Sequence, residues 1–185
     1  VYTSEVPTSV VPAVNTTAGL PVVFGTAPVH LASERAQTNR PILCYSYAEA
    51  VQQLGYSKDW AKYTLCEVMY SQFALYNRGP VVFVNVLDPK THKKSTSSKN
   101  VTVTNKVAKV DAPVLLDTLQ IKASTAGSAL IAGSDYEAAY YDDGVLVITL
   151  LDDGTATAAS NLTLTYDEID AAAVDADDII GGINV

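Results

Sequence analysis

Cysteine and histidine are scarce in this chain of 185 residues, which has two of each. Cys44 and Cys66 are too few for a disulfide scaffold and lack the clustered spacing of a zinc site. We interpret both as free, buried thiols, and we interpret His30 and His92 as exposed. A thiol nucleophile with a histidine base would need those side chains in contact, and no family-type motif surrounds either cysteine.

Basic side chains are also few, with 12 Lys and Arg against 20 Asp and Glu, so the net charge is -8. This balance argues against nucleic acid and anionic membranes as partners. Long apolar runs are absent too: the longest cover residues 80–87 and 145–151. Since a membrane span needs about 18 apolar residues, we expect no membrane insertion.

Phosphate-binding loops are missing, because neither GxGxxG nor GxxxxGK[ST] occurs in the sequence. We therefore expect no nucleotide cofactor, no catalytic site and no enzyme activity. The doublets Asp142-Asp143 and Asp152-Asp153 could supply oxygen ligands for calcium. Each precedes a glycine, and neither has the spacing of a dedicated calcium loop, so we favour hairpin turns and expect no metal site.

Apolar residues are plentiful, at 48% against 17% charged, which predicts a folded protein. Residues 20–91 read as a helix-covered α/β portion. Its first strand, 20–25, looks buried on both faces, and a second follows at 41–45. Ser46 and Glu49 form a capping box before a short helix, and a longer helix apolar on two sides follows Asp59. The run 81–87 is the expected parallel partner of the first strand.

The polar stretch 92–100 looks like a linker, and beyond it the pattern changes to short strands separated by Gly and Asp. We assign 92–170 to an antiparallel β module, sandwich or barrel-like, held by flexible joints and dispensable for the α/β portion. Residues 110–185 carry one Lys and fourteen acids. Residues 171–185 read as the start of a further portion, with a new element at 176–180.

Residues 1–19 have no helical period and contain Pro7 and Pro12 among β-branched residues. This composition predicts an extended N-terminal arm without a partner strand in its own chain. An unpaired extended segment presents free N–H and C=O groups to a sheet edge elsewhere. We therefore expect the arm to pair with a neighbouring subunit, through the following contact residues: Val1, Tyr2, Thr3, Glu5, Val6, Val10 and Val11.

Four segments together resemble the sheath proteins of contractile phage tails and of phage-tail-like bacteriocins (tailocins). They are residues 1–7 (VYTSEVP), 19–28 (GLPVVFGTAP), 46–56 (SYAEAVQQLGY) and 80–89 (PVVFVNVLDP). The resemblance covers residues 1 to about 90 well, and the β module only by its position. In that family the N-terminal arm adds a strand to a neighbour, an inserted β domain projects outward, and the chain is longer than this one.

The resemblance implies a structural subunit that polymerises as stacked hexameric rings around an inner tail tube and contracts to drive that tube through a cell envelope. The implied partners are further copies of the chain, the inner tube protein, the baseplate and the tail terminator. The implied location is the virion tail, or a tail-like particle, assembled in the cytoplasm of the bacterial host. An alternative is a surface-binding module, in which the β module recognises a glycan or a receptor.

Overall fold

The computed structural model describes residues 19–141 and 144–181. Its strands are β1 (Val22–Gly25), β2 (Pro41–Cys44), β3 (Val81–Asn85), β4 (Lys93–Thr102), β5 (Val107–Val110), β6 (Gln120–Lys122), β7 (Tyr136–Tyr140), β8 (Leu146–Leu150) and β9 (Asn161–Ile169). Its helices are α1 (Tyr47–Leu54), α2 (Thr64–Met69) and α3 (Ala176–Gly181). This mixture of helices and strands agrees with the predicted α/β class.

The first sheet has the strand order β1-β3-β2. The predicted parallel pairing of β1 with β3 is confirmed, whereas β2 runs antiparallel to β3, so the sheet is mixed. Apolar side chains of α1 and α2 pack with Phe83 and other buried residues into one core. The first strand is not buried on both faces as predicted, because Val22 and Phe24 are 54% and 41% exposed.

The predicted cap at the start of α1 is present. Ser46 Oγ accepts a hydrogen bond from the backbone N–H of Glu49 (3.2 Å), which satisfies one of the N–H groups that a helix start leaves unpaired. The Glu49 carboxylate accepts one from the N–H of Tyr45 (2.9 Å), one residue before the N–H of Ser46 that a reciprocal capping box uses. Gly55 ends the helix with φ at 74°, and its N–H donates to Val51 O (2.8 Å).

Replacing Gly55 with alanine should destabilise the fold more than other glycine substitutions at positive φ. A Cβ at this position would lie 2.3 Å from the carbonyl oxygen of Pro28, in addition to the cost of a left-handed backbone. Gly133 provides a matched control, since its φ is +78° and nothing lies within 4 Å of its Cβ position. We expect Gly133→Ala to cost about 1 kcal/mol and Gly55→Ala at least about 2 kcal/mol. Equal losses in urea unfolding would contradict this account.

The predicted longer helix is present as α2, followed by a π-helical stretch over Tyr70–Leu75. One side is buried through Leu65, Met69 and Phe73. The second predicted side is only partly covered: Val68 packs against the core, whereas Leu75 is 60% exposed. The prediction of a helix packed on two sides therefore holds for Val68 but not for Leu75. No helix among these residues is long and apolar enough to cross a membrane.

The remaining strands form two antiparallel three-stranded sheets, with orders β4-β9-β6 and β5-β8-β7. Both sheets contribute to one buried cluster, which includes Ile121, Leu146, Ile148 and Leu164. The sequence alternates or is rich in β-branched residues at 106–110, 119–123, 145–150 and 162–166, which coincide with β5, β6, β8 and part of β9, whereas β7 lies outside these stretches. The expected element at 176–180 is α3.

Two predicted connections are wrong. The stretch predicted to be a linker, 92–100, lies almost entirely in β4, which pairs along β9 with a register shift between Thr96 and Lys99. A mostly exposed edge strand needs no apolar residues, so a polar composition does not exclude it. The turn Asp152–Gly154 is not a tight hairpin either, because β8 and β9 belong to different sheets.

The α/β portion and the β module share buried side chains. Leu115 and Ile169 come from the β module but belong to the core formed around α1 and α2. A backbone hydrogen bond also joins the two ends of the module: the N–H of Asp170 donates to the carbonyl oxygen of His92 (3.0 Å). Deleting residues 92–170 would therefore remove two side chains from the α/β core. The expectation that the module is dispensable must be revised accordingly.

Candidate assembly surface

The mixed sheet has one open apolar face. The register places Val22, Val82 and Leu43 in one row across the strands, and Phe24, Val84 and Pro41 in the next. Val22, Phe24 and Leu43 are 54%, 41% and 38% exposed, Pro41 is exposed and Val82 is half-buried, whereas Val84 in the middle of the second row is buried. Exposed apolar side chains on one face of a sheet are typical of a surface that contacts other polypeptide. We call the five residues other than Val84 the open sheet face.

The two outer strands of this sheet, β1 and β2, are free edges within residues 19–141 and 144–181. The outward backbone groups of Val22, Phe24 and Leu43 make no hydrogen bond there. A free strand edge next to an apolar face offers both backbone pairing and side-chain contacts to an incoming strand. The sequence pattern did not reveal this surface, because a short apolar run looks the same whether one face or both are covered.

The predicted contact residues of the arm lie outside the described residues, which begin at Gly19. They are Val1, Tyr2, Thr3, Glu5, Val6, Val10 and Val11. Their assignment to a subunit contact stays a prediction. The described chain begins at Gly19, three residues before β1, which forms one free edge of the mixed sheet.

His30 is not the exposed side chain that the sequence predicted. Its ring lies 5.3 Å from the ring of Tyr140 in the β module and 6.0 Å from that of Tyr63 in the α/β portion. Its Nδ1 is buried without a hydrogen-bond partner in the described residues. Burial, with smaller contributions from the positive charges of Lys62 and Arg35, lowers the pKa of His30 to about 3.

Acid should destabilise the protein through His30. The pKa of His30 is about 3 in the folded chain and about 6.5 in the unfolded chain. Between pH 3 and pH 6.5 the unfolded state therefore binds more protons than the folded state. The free energy of unfolding therefore falls as the pH drops below 6.5. We expect His30→Phe to reduce this fall between pH 6.5 and pH 4, measured by urea unfolding. The same pH dependence in the variant and the parent chain would contradict this role.

His92 is also buried rather than exposed, at 8%. Its Nδ1 accepts a hydrogen bond from the backbone N–H of Asp88 (3.0 Å), and its Nε2 lies 3.1 Å from the carboxylate of Asp178. A neutral imidazole that accepts at Nδ1 carries its proton on Nε2 and donates it to the carboxylate. His92 thereby joins the end of the α/β portion, the start of β4 and helix α3.

The cysteines are free and buried, as predicted. Burial raises the pKa of each thiol to about 11, with a smaller contribution from Glu49 at Cys44. A buried thiol with a raised pKa is a poor nucleophile, because the reactive species is the thiolate. The backbone N–H of Ser57 donates to Cys66 Sγ (3.4 Å), which fits a packing role for this side chain.

Only one of the two acidic doublets lies in the described residues. Asp152 pairs with Lys106, and Asp142 and Asp143 lie outside these residues. No group of three potential metal-ligating side chains occurs in the described part of the chain. Asp135, which the sequence analysis overlooked, is buried and accepts hydrogen bonds from Ile131 N–H and from Thr155, so its pKa is lowered. These bonds hold loops of the β module.

This α/β chain has an open apolar sheet face beside two free strand edges. These are features of a subunit that packs against other polypeptide. Comparison with known proteins agrees with this class. The chain is 31% identical over 168 residues to the tail sheath protein of Burkholderia phage BcepMu. The match covers 88% of this chain, and it confirms the resemblance to phage tail sheath proteins predicted from the sequence.

The chain spans about a third of the length of the curated relative it matches, with 32% of that protein covered. No family model matches the chain, and no solved structure shows significant similarity to it.

Proposed function

We propose that the chain is part of a contractile tail sheath subunit, which polymerises as stacked hexameric rings around an inner tube and contracts to drive that tube through a cell envelope. The open sheet face carries the proposal: its exposed Val22, Phe24 and Leu43 adjoin two free strand edges. A lattice subunit needs extensive apolar contacts to its neighbours. The similarity to a tail sheath protein supports the same role.

The arm is the proposed link between subunits. Residues 1–17 of one copy would add a strand to a free edge of the mixed sheet in the next copy, with Val6 or Val10 against apolar side chains there. Donor and acceptor surfaces differ, so the contact is head-to-tail and continues from subunit to subunit. The excess of acids in the β module would keep the outer surface of neighbouring tubes apart.

The further proposed partners are the inner tail tube protein, the baseplate and the tail terminator, with assembly in the cytoplasm of the bacterial host. The proposed role is structural and requires no catalytic, metal or cofactor site. Electron microscopy of the native protein tests the proposal. Striated tubes are the expected result, and free globular particles under all conditions would contradict it.

A binding module is the second candidate function. On the outer face of the sheet β5-β8-β7, a groove of about 300 Å³ is lined by Val107, Lys109, Val147 and the exposed Tyr141. The exposed ring of Tyr141 next to the charged end of Lys109 suits the binding of a glycan or a receptor peptide. A glycan titration followed by chemical shifts distinguishes the candidates, because saturable shifts confined to this groove would favour the binding module.

A further inference from the structure

A second surface carries charge rather than apolar groups. A cleft of about 690 Å³ lies where the loop before β2, the connection from β3 to β4 and the connection from β5 to β6 meet. Its charged lining residues are Arg35, Arg40, Lys90, Lys93, Asp88 and Asp117. Four of the 12 basic side chains of a chain with net charge -8 thus surround one cleft. We call it the basic cleft.

Most of these cations have hydrogen-bonding capacity to spare. Lys93 is paired with Asp167 (2.6 Å), and Arg35 uses only its Nε, which donates to Val29 O (3.2 Å). Within residues 19–141 and 144–181, the side chains of Arg40 and Lys90 have neither an ion pair nor a hydrogen bond. Asp88 Oδ1 accepts the backbone N–H of Lys90 (2.9 Å), and the Asp88 carboxylate forms no ion pair with the lysine ammonium in the described residues. The unused donors favour a ligand with carboxylates.

One acceptor in the cleft has no donor. Asn39 Oδ1 is buried without a hydrogen-bond partner, although the backbone N–H of Asn39 donates to Asn85 O (2.8 Å). This oxygen has no exposed surface, so it belongs to the wall of the cleft and is not a contact atom for a ligand. Pro41 and Pro89 add apolar lining. Cations beside apolar lining suit an acidic polypeptide segment better than a free inorganic anion.

We propose that the basic cleft binds the acidic turn Asp152–Gly154 of a second copy of this chain. Asp153 is exposed and has no ion pair in the described residues, and Asp152 has only its exposed pair with Lys106. Small residues follow the turn at 155–159, which fits a narrow cleft. The contact joins two different surfaces, so it is head-to-tail. It rests on the self-assembly proposed above and supplies a contact independent of the arm.

A peptide covering residues 150–158 tests the cleft without requiring tubes to form. Added to the isotopically labelled chain, it should shift the amide resonances of residues 35–40 and 88–93. The double variant Arg40→Glu with Lys90→Glu should weaken binding at least about tenfold, since two attractive charge pairs become repulsive. A peptide with Asp152→Asn and Asp153→Asn should bind about as poorly.

Lys58→Glu with Lys94→Glu is the matched control, because it changes the net charge equally with exposed lysines outside the cleft. Binding to this control should stay within about twofold of the parent chain at 0.15 M salt, where distant charges are screened. Equal weakening in both double variants would show a general charge effect and overturn the proposal. The proposal would also be overturned if the peptide caused no amide shifts, or if polyglutamate caused the same shifts as the peptide. Either result would leave the sheath role intact, because tube formation tests that role separately.

Discussion

Deleting residues 1–17 should abolish tubes while leaving a soluble, folded subunit. The deletion removes the donor strand of the proposed contact but none of the residues in either described core. Backbone pairing along several residues, together with burial of Val6 and Val10, is a large part of the energy that holds successive subunits. Negative-stain electron microscopy of the native protein and of the truncated one measures the effect, and circular dichroism checks that the truncated subunit is folded.

A finer pair of variants separates a specific contact from a general effect of the arm. Val6→Asp with Val10→Asp keeps the arm length but places charges where apolar side chains would be buried, so tubes should be lost again. Ser4→Ala with Ser9→Ala changes the same segment without adding charge and should leave tubes intact. Tubes of normal length and stability from the truncated protein would refute the arm contact, while the sheath role itself would still be supported by those tubes.

The α/β portion was predicted well from sequence where local rules decide the structure. The helix start at Ser46 and Glu49 is encoded within a few residues, and Ser46 caps α1 as expected. The parallel pairing of β1 with β3 also followed from two apolar runs separated by helices. Each of these features depends on neighbours along the chain or on a common topology.

The errors fall where distant parts of the chain decide the outcome. The exposure of Val22 and Phe24 depends on which elements cover a sheet, and a strand sequence does not carry that information. The burial of His30 and His92 arises from contacts with Tyr140 and Asp178, far along the sequence. Strand β4 was missed because its partner β9 supplies the apolar residues of that pair. The basic cleft is likewise formed by three separate connections.

The β module and the α/β portion should unfold together, which is the second prediction with a large effect. Strand β9 contributes Leu162, Leu164 and Tyr166 to the core of the module, and Ile169 to the core of the α/β portion. A continuous strand shared by two cores transmits the loss of one core to the other. Leu115, which precedes β6, adds a second shared side chain.

Trp60, the only tryptophan, packs against the α/β core and therefore reports on that portion alone. Leu164→Ala creates a cavity in the core of the β module, at a fully buried residue. If unfolding is shared, the urea transition followed by Trp60 fluorescence should lose about 2–5 kcal/mol, although the substitution lies in the other core.

Leu115→Ala is the positive control for this experiment, because its side chain is part of the core that Trp60 reports on, and it should lower the same transition directly. Val147→Ala is the negative control, since this residue of β8 is only partly buried and truncation there should cost much less. A Trp60 transition that Leu164→Ala leaves unchanged, while far-ultraviolet circular dichroism shows early loss of β structure, would mean that the two portions fold independently. The boundaries at 92 and 170 would then separate autonomous domains, despite the shared strand.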